Sequence, residues 1–181
     1  VVRMPDPAPC PNCAVGEWDM CRNGGYTEHG IRGLHGFGAE LFRVSVGHAV
    51  KLDPRLGARG VMLEPTTVVA KAWEHIERIG SRSVFAPRSV LVTGAGPIGH
   101  SAANGIVCLT GVSSAGRQTA IDPGAWNRAM VLGNDVVFGS VNANLRHYRA
   151  AATALAAADP QWLDALITRR FQLDDFAAAL E

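Results

Sequence analysis

Apolar and polar positions change their rhythm several times along the chain. Residues 1 to about 37 hold few apolar runs and are rich in Pro, Gly and Cys, the pattern of an irregular lobe. From 38 to 52 apolar and polar residues alternate, which predicts strands. Between 58 and 79, Val61, Leu63, Val68, Val69, Ala72, Trp73, Ile76 and Ile79 recur at helical spacing, with Pro65 and Thr66 near the start and Gly80 as the stop. Residues 89–93 read as a short buried strand that runs into Gly94-Ala-Gly-Pro-Ile-Gly99 and a brief helical stretch. Residues 105–110 and 135–141 read as two further buried strands. An alanine-rich helix is predicted over 145–158, a short helix running into a strand over 162–168, and a closing helix over 173–180. No internal repeat interrupts this order. Irregular β structure followed by βα units predicts two parts, with a boundary near 80–88.

Composition narrows the class. The 181 residues are 48% hydrophobic and 18% charged, ordinary for a globular chain and unlike a disordered one. The formal net charge of +1 gives no electrostatic basis for a nucleic-acid or acidic-membrane partner. No stretch of about eighteen apolar residues is present, and no basic segment followed by an apolar core opens the chain, so neither a membrane span nor secretion is expected. The first residue is Val1, which fits a start inside a longer reading frame or a processed end. Cys10, Cys13 and Cys21 cluster while Cys108 lies far away. In a chain read as cytoplasmic, that spacing favours metal over disulfide.

Four constellations carry chemistry. Cys10-x2-Cys13-x7-Cys21 can wrap one zinc ion, with Asp6 or a water as fourth ligand; the bland alternative is three reduced thiols in a loop. Gly94-x-Gly96-x-x-Gly99 after a strand and before a helix is the turn that receives a dinucleotide's diphosphate, although it can also be a plain glycine turn. The ribose-reading residue expected about twenty positions on is missing. Arg117 stands near that distance but after too few strands. Glu64 is either a metal ligand or a residue favoured by the helix dipole. Asn142 and Asn144 follow a strand; Asn144 suits the cap of the next helix and Asn142 is freer for a ligand. His29, His35 and His48 have no helical ligand spacing, and Glu74 and His75 read as surface or packing residues.

Taken together these stretches resemble the zinc-containing glucose dehydrogenases of the medium-chain dehydrogenase/reductase family. The resemblance runs through residues 9–21, 26–31, 35–37, 63–75, the glycine loop, 105–113 and 134–142. It implies an α/β fold: a partial Rossmann-type parallel sheet with helices, and a remnant of a β-rich GroES-like catalytic domain with a cysteine-rich zinc lobe. Residues 1–84 would be the catalytic remnant and 85–181 the incomplete dinucleotide-binding domain. It further implies oxidation of an aldose at C1 to a lactone, with hydride passing to NADP or NAD and a catalytic zinc acidifying the sugar hydroxyl. By resemblance Cys10, Cys13 and Cys21 match structural zinc ligands, with Pro7 where a first cysteine usually stands. Glu64 matches a catalytic zinc ligand, and Glu28 and Asn142 match sugar-contacting positions. Gly94, Gly96, Pro97, Ile98 and Gly99 match the pyrophosphate loop, and Thr110, Gly111, Val112, Val141 and Asn142 the nicotinamide end.

The departures from the pattern shape the expectation. The early catalytic-zinc ligands are missing, and between Gly99 and Gly105 the chain passes directly into what resembles a late strand. The dinucleotide fold would keep roughly three of its usual six strands, exposing apolar edges at 90–92 and 106–108. The expected protein is a sugar dehydrogenase by descent with impaired turnover. The alternatives are an interaction subunit that forms homo-oligomers or pairs with a full-length paralogue, and a small zinc-binding module.

Overall fold

The computed structural model describes residues 3–87, 90, 105–111, 116 and 120–180. Among these, the regular elements in chain order are α1 (Pro11–Ala14), β1 (Glu28–His29), β2 (Gly33–Leu34), α2 (Leu63–Gly80), β3 (Ile106–Leu109), α3 (Pro123–Gly133), β4 (Val136–Gly139), α4 (Leu145–Ala157) and α5 (Pro160–Ala165). Single-turn and 3-10 segments join them. The chain forms two compact units, Val1–Thr67 with Asn144–Glu181, and Val68–Ala143. The first turn of α2 belongs to the first unit and the remainder to the second. Among the described residues no helix is long and apolar enough to cross a membrane.

The first unit is organised by α4. Tyr148, Ala151 and Leu155 recur along one stripe of this helix and are all buried. Leu155 meets Leu56 and Leu163, and Leu52, Met62, Leu63 and Ala158 pack around them. The elements that supply these leucines start on deliberate caps. Asp53 accepts the Arg55 N–H ahead of the 3-10 segment Pro54–Met62. Asp159 accepts the N–H groups of Gln161 and Trp162 ahead of α5, whose Pro160 sits where no N–H is needed. Arg59 then grips Asp164 through two hydrogen bonds of 2.8 and 2.7 Å.

The second unit holds a βαβ arrangement. Strands β3 and β4 pair in parallel, from Ile106 opposite Val136 to Leu109 opposite Gly139. Helix α3 connects them, opened by Asp122, which accepts from Gly124 and Ala125, and closed by Asn134 in the left-handed region. Asn tolerates that conformation better than most residues, so the helix stops there and the chain turns into β4. Pairing leaves Ile106, Val107 and Cys108 half-buried rather than bare.

Several expectations are corrected. Residues 38–52 form no strand; they hold one 3-10 turn, Val46–His48. Leu41 and Val46 are about nine-tenths exposed, at 91% and 90%, so the alternation has neither a partner strand nor an apolar layer to stabilise it. Among the described residues of 3–87 the β content is β1, β2 and isolated bridges from Met4 to Thr27 and from Glu28 to Arg32, so this stretch is not β-rich. Residues 58–62 are 3-10, and the α-helix proper starts at Leu63, with Pro65 in its first turn where the lost N–H costs nothing. Among the described residues no strand follows α5. The predicted closing helix is two separate 3-10 turns, Leu173–Asp175 and Ala178–Leu180. Phe176 between them is exposed, and a helix this short does not persist without a buried face. Helix α3 was not expected. The 89–93 strand and the glycine loop lie outside the described residues.

Candidate functional site

Three groups of side chains bear on function, two in the first unit and one in the second. The first is the cysteine lobe. Cys10 and Cys13 bracket α1 and are buried, and Cys21 is half-buried after a 3-10 turn at Trp18–Met20. Asn12 holds that turn over the helix by donating to the Met20 carbonyl at 2.6 Å. All three Sγ atoms lie within 4.8 Å of one another. Zinc–sulfur bonds of about 2.3 Å in a tetrahedron space sulfurs about 3.8 Å apart, so a small contraction brings this set onto one ion. The Arg22 N–H donates to Cys10 Sγ at 3.4 Å. That contact, then the Cys13 N–H, pulls the Cys10 thiol down to about 6 against the effect of burial. Burial pushes the Cys13 thiol up, opposed by the Asp6 N–H. The donor set therefore fits a zinc ion, with backbone N–H groups already placed to stabilise thiolates.

Asp6 is not gathered with the sulfurs. Its carboxylate accepts the Ala8 N–H at 2.9 Å and the Gly25 N–H at 3.2 Å, tying the two ends of the lobe together. A Cβ on Gly25 would sit 2.5 Å from that carboxylate, so glycine is required by close approach. The lobe is also moored to the start of α4. Asn144, the N-cap of α4, donates its amide to the Gly16 carbonyl and to Asp19 at 3.1 Å. Arg146 binds both oxygens of Glu17 at 2.9 Å. The expected capping position of Asn144 is thus occupied, while its side chain reaches into the lobe.

The second group surrounds Glu28 and Glu64. Glu28 is on β1, held by a tight return of the chain in which the Arg32 N–H donates to its carbonyl at 2.8 Å. Its carboxylate pairs with Arg3 at 3.4 Å. Arg3 is 6% exposed, lies 3.5 Å from the centre of the Tyr26 ring and donates to the Asp19 carbonyl. Its guanidinium is thereby fixed on three sides. Glu64 opens α2, where the helix dipole favours a carboxylate. Tyr148 on α4 connects these acids electrostatically. Burial first, then the charges of Glu64 and Glu28, push its phenol up to about 12. Sequence reasoning missed both Arg3 and Tyr148, because neither stands in a motif.

The third group lies in the second unit at the carboxyl ends of β3 and β4. Parallel pairing ends with Leu109 opposite Gly139, Thr110 and Gly111 following on one strand and Ser140, Val141 and Asn142 on the other, and the Ser140 N–H donates to the Leu109 carbonyl at 2.9 Å. Open α/β sheets bind ligands at this edge. Asn142 has φ 61°, a left-handed backbone that Asn adopts more readily than other side-chain-bearing residues. Lys71, 2% exposed on α2, donates to the Val141 carbonyl at 2.8 Å and fixes the turn. The buried Ser140 hydroxyl has no hydrogen-bond partner among the described residues. A buried polar atom left over at a strand's carboxyl edge is what a ligand's polar group would satisfy. Lys71 and Ser140 were also missed; a buried lysine leaves no mark on an amphipathic helix pattern.

Other candidates go elsewhere. His29 meets the His35 carbonyl through Nδ1 at 2.8 Å and packs on Phe37. His48 packs on Trp18, Glu74 pairs with Arg78, and the rings of His75 and Phe138 lie 5.9 Å apart. Among the described residues, the cysteine trio is the one grouping of three or more potential metal ligands. Gly94, Gly96, Pro97, Ile98, Gly99, Val112 and Arg117 lie outside the described residues.

Comparison with known proteins gives a consistent set of relatives. The family model for the glucose dehydrogenase C-terminus matches residues 57–102 and 99–181, two blocks that meet at 99–102. The glucose 1-dehydrogenase of Methanocella arvoryzae is 26% identical over 256 aligned positions, taking in 99% of this chain and 71% of that protein. The glucose 1-dehydrogenase of Halobacterium salinarum is 30% identical over 256 positions, covering 98% and 71%. An alignment of 256 positions against 181 residues leaves at least 75 (256 less 181) facing a gap in this chain. The glucose dehydrogenase of Haloferax mediterranei, solved in complex with NADP, Zn and gluconolactone, superposes with a TM-score of 0.83 at 22% identity, over 99% of this chain and 72% of that one. The fold is therefore that of a glucose dehydrogenase. On the family match across both blocks and the Halobacterium relative, the chain belongs to the glucose 1-dehydrogenase family.

Proposed function

We propose that this chain is an NADP-linked (or NAD-linked) sugar dehydrogenase by descent, specific in origin for oxidation of an aldose such as glucose at C1 to its lactone. The observation that supports the reading is the match to the glucose dehydrogenase C-terminus over residues 57–102 and 99–181, with the superposition on a glucose dehydrogenase at a TM-score of 0.83. In the first unit Arg3 would hold Glu28 for a sugar hydroxyl; in the second, Asn142, next to the Val141 carbonyl that Lys71 binds, would offer its amide to nicotinamide. Thr110, Gly111, Val112 and Val141 would line the nicotinamide end, with Gly94, Gly96, Pro97, Ile98 and Gly99 receiving the diphosphate. Zinc in the lobe, on Cys10, Cys13 and Cys21, would supply a structural cross-link. Residues 1–84 are read as catalytic-domain remnant and 85–181 as incomplete dinucleotide-binding domain. Reduced metal-binding thiols suit a cytoplasmic location.

The same residues set the limit on turnover. A catalytic zinc needs about three protein ligands and an open position, and among the described residues no such set forms around Glu64. The two-block family match and the alignment gap support an internal loss near residue 99. We therefore expect weak or no turnover. NADPH absorbance with glucose, NADP and zinc tests this, and robust turnover by the purified chain would overturn it.

A second reading, as a non-catalytic subunit pairing with itself or with a full-length paralogue, is favoured by one feature. Helix α3 has no buried residue and exposes Trp126, Val131 and Leu132. Co-purification with the paralogue supports this reading; a monomer with no partner counts against it.

A further inference from the structure

The cysteine lobe has a property beyond the zinc reading on which this inference rests. The three sulfurs form a set of three, and no fourth Cys, His, Asp or Glu among the described residues joins them. Asp6 already accepts two backbone N–H bonds and is wedged against Gly25, and Asp19, two residues before Cys21, accepts from the Asn144 amide. Cys10 and Cys13 are buried, whereas Cys21 is partly exposed, so of the three sulfurs' residues Cys21 is the one that solvent reaches. We propose that the lobe is a three-thiolate metal centre whose fourth position is filled from solution by a small thiol.

The chemistry follows from the donor set. Structural zinc takes four protein ligands; three with an open place is the arrangement that admits an outside ligand. The chain's three donors are all soft, and the Arg22 and Asp6 N–H groups offset the negative charge that thiolates accumulate. A fourth sulfur suits such a centre better than water does. The incoming thiol releases its proton to solvent and takes the place water otherwise fills; no electrons move and no redox partner is needed.

The test uses the full chain loaded with cobalt(II), kept reduced by a phosphine. Cobalt–thiolate absorption bands are expected, and they should shift saturably when glutathione is added. Bands that do not respond to glutathione would mean that the chain supplies its own fourth ligand, and would overturn the proposal. Bands that vanish because glutathione strips the metal overturn it as well. Absence of any cobalt bands refutes the underlying zinc reading itself, an outcome distinct from both. Asp6→Asn in the same titration should keep both the starting bands and the shift; a variant whose bands before titration differ from those of the parent chain would identify Asp6 as the ligand and end the proposal.

Discussion

At the residue scale, Tyr148 reports on the acids around it. The chain has two tyrosines, so Tyr26→Phe leaves Tyr148 as the single phenol. Its tyrosinate absorbance should rise with a midpoint of about 12. Glu64→Gln should bring that midpoint down, because a removed negative charge no longer opposes the phenolate. An unmoved midpoint would place Glu64 outside the group. The folded value stands above the ordinary 10, so the contribution to stability is whole below pH 10 and lost as pH rises through about 12. Asp53 runs the other way. Hydrogen bonds from the Arg55 side chain, then its backbone N–H, lower the carboxyl to about 2. Its contribution is present above about pH 4 and lost as pH falls towards 2. Asp53→Asn should therefore flatten the acid branch of a denaturation profile in that window, and an unchanged branch would show that the cap contributes nothing. The cysteine trio was legible in the sequence because spacing alone restricts how thiols meet. Tyr148 and Arg3 were not, since a tyrosine in an alanine-rich helix and an arginine before a proline-rich loop gain meaning from neighbours far along the chain.

At the element scale, legibility followed burial. Helix α4 and strands β3 and β4 were readable because their apolar positions do meet a packed surface, and the pattern on the chain is the pattern on the fold. Residues 38–52 were misread for the complementary reason: alternation specifies a strand only where another strand or layer receives it. Helix α3 escaped notice because none of its residues is buried, so no stripe marks it. The leucine cluster carries a direct prediction. Leu163 is 1% exposed, and Leu163→Ala should cost about 2–5 kcal/mol, from lost transfer energy and the cavity left behind. Denaturant titration measures it; a loss below about 1 kcal/mol would mean that α5 is not seated on α4. Breaking Arg59–Asp164 at the same junction should cost far less, since Asp164 is nearly half exposed at 46% and solvent screens the pair.

At the scale of the whole molecule, the family match in two blocks gives the chain its character. A doubly wound sheet binds a dinucleotide across several strands, so a chain that joins the blocks directly should bind NADP poorly. Thermal unfolding with and without NADP should show little shift. Inserting the corresponding internal segment of the Halobacterium relative near residue 99 should restore one. A strong NADP shift in the chain as it stands would show that the missing stretch is dispensable for binding. Against that loss stands the lobe, whose fit around Gly25 leaves no room for a methyl group. Drift in the absence of selection would strike this position as readily as any other, and every replacement would push Asp6 from its two amide donors. The pair Gly25 and Asp6 is thus a natural clock: sister copies of the gene that vary freely on the surface yet keep these two unchanged would mark a polypeptide still under purifying pressure, whatever has become of its reaction.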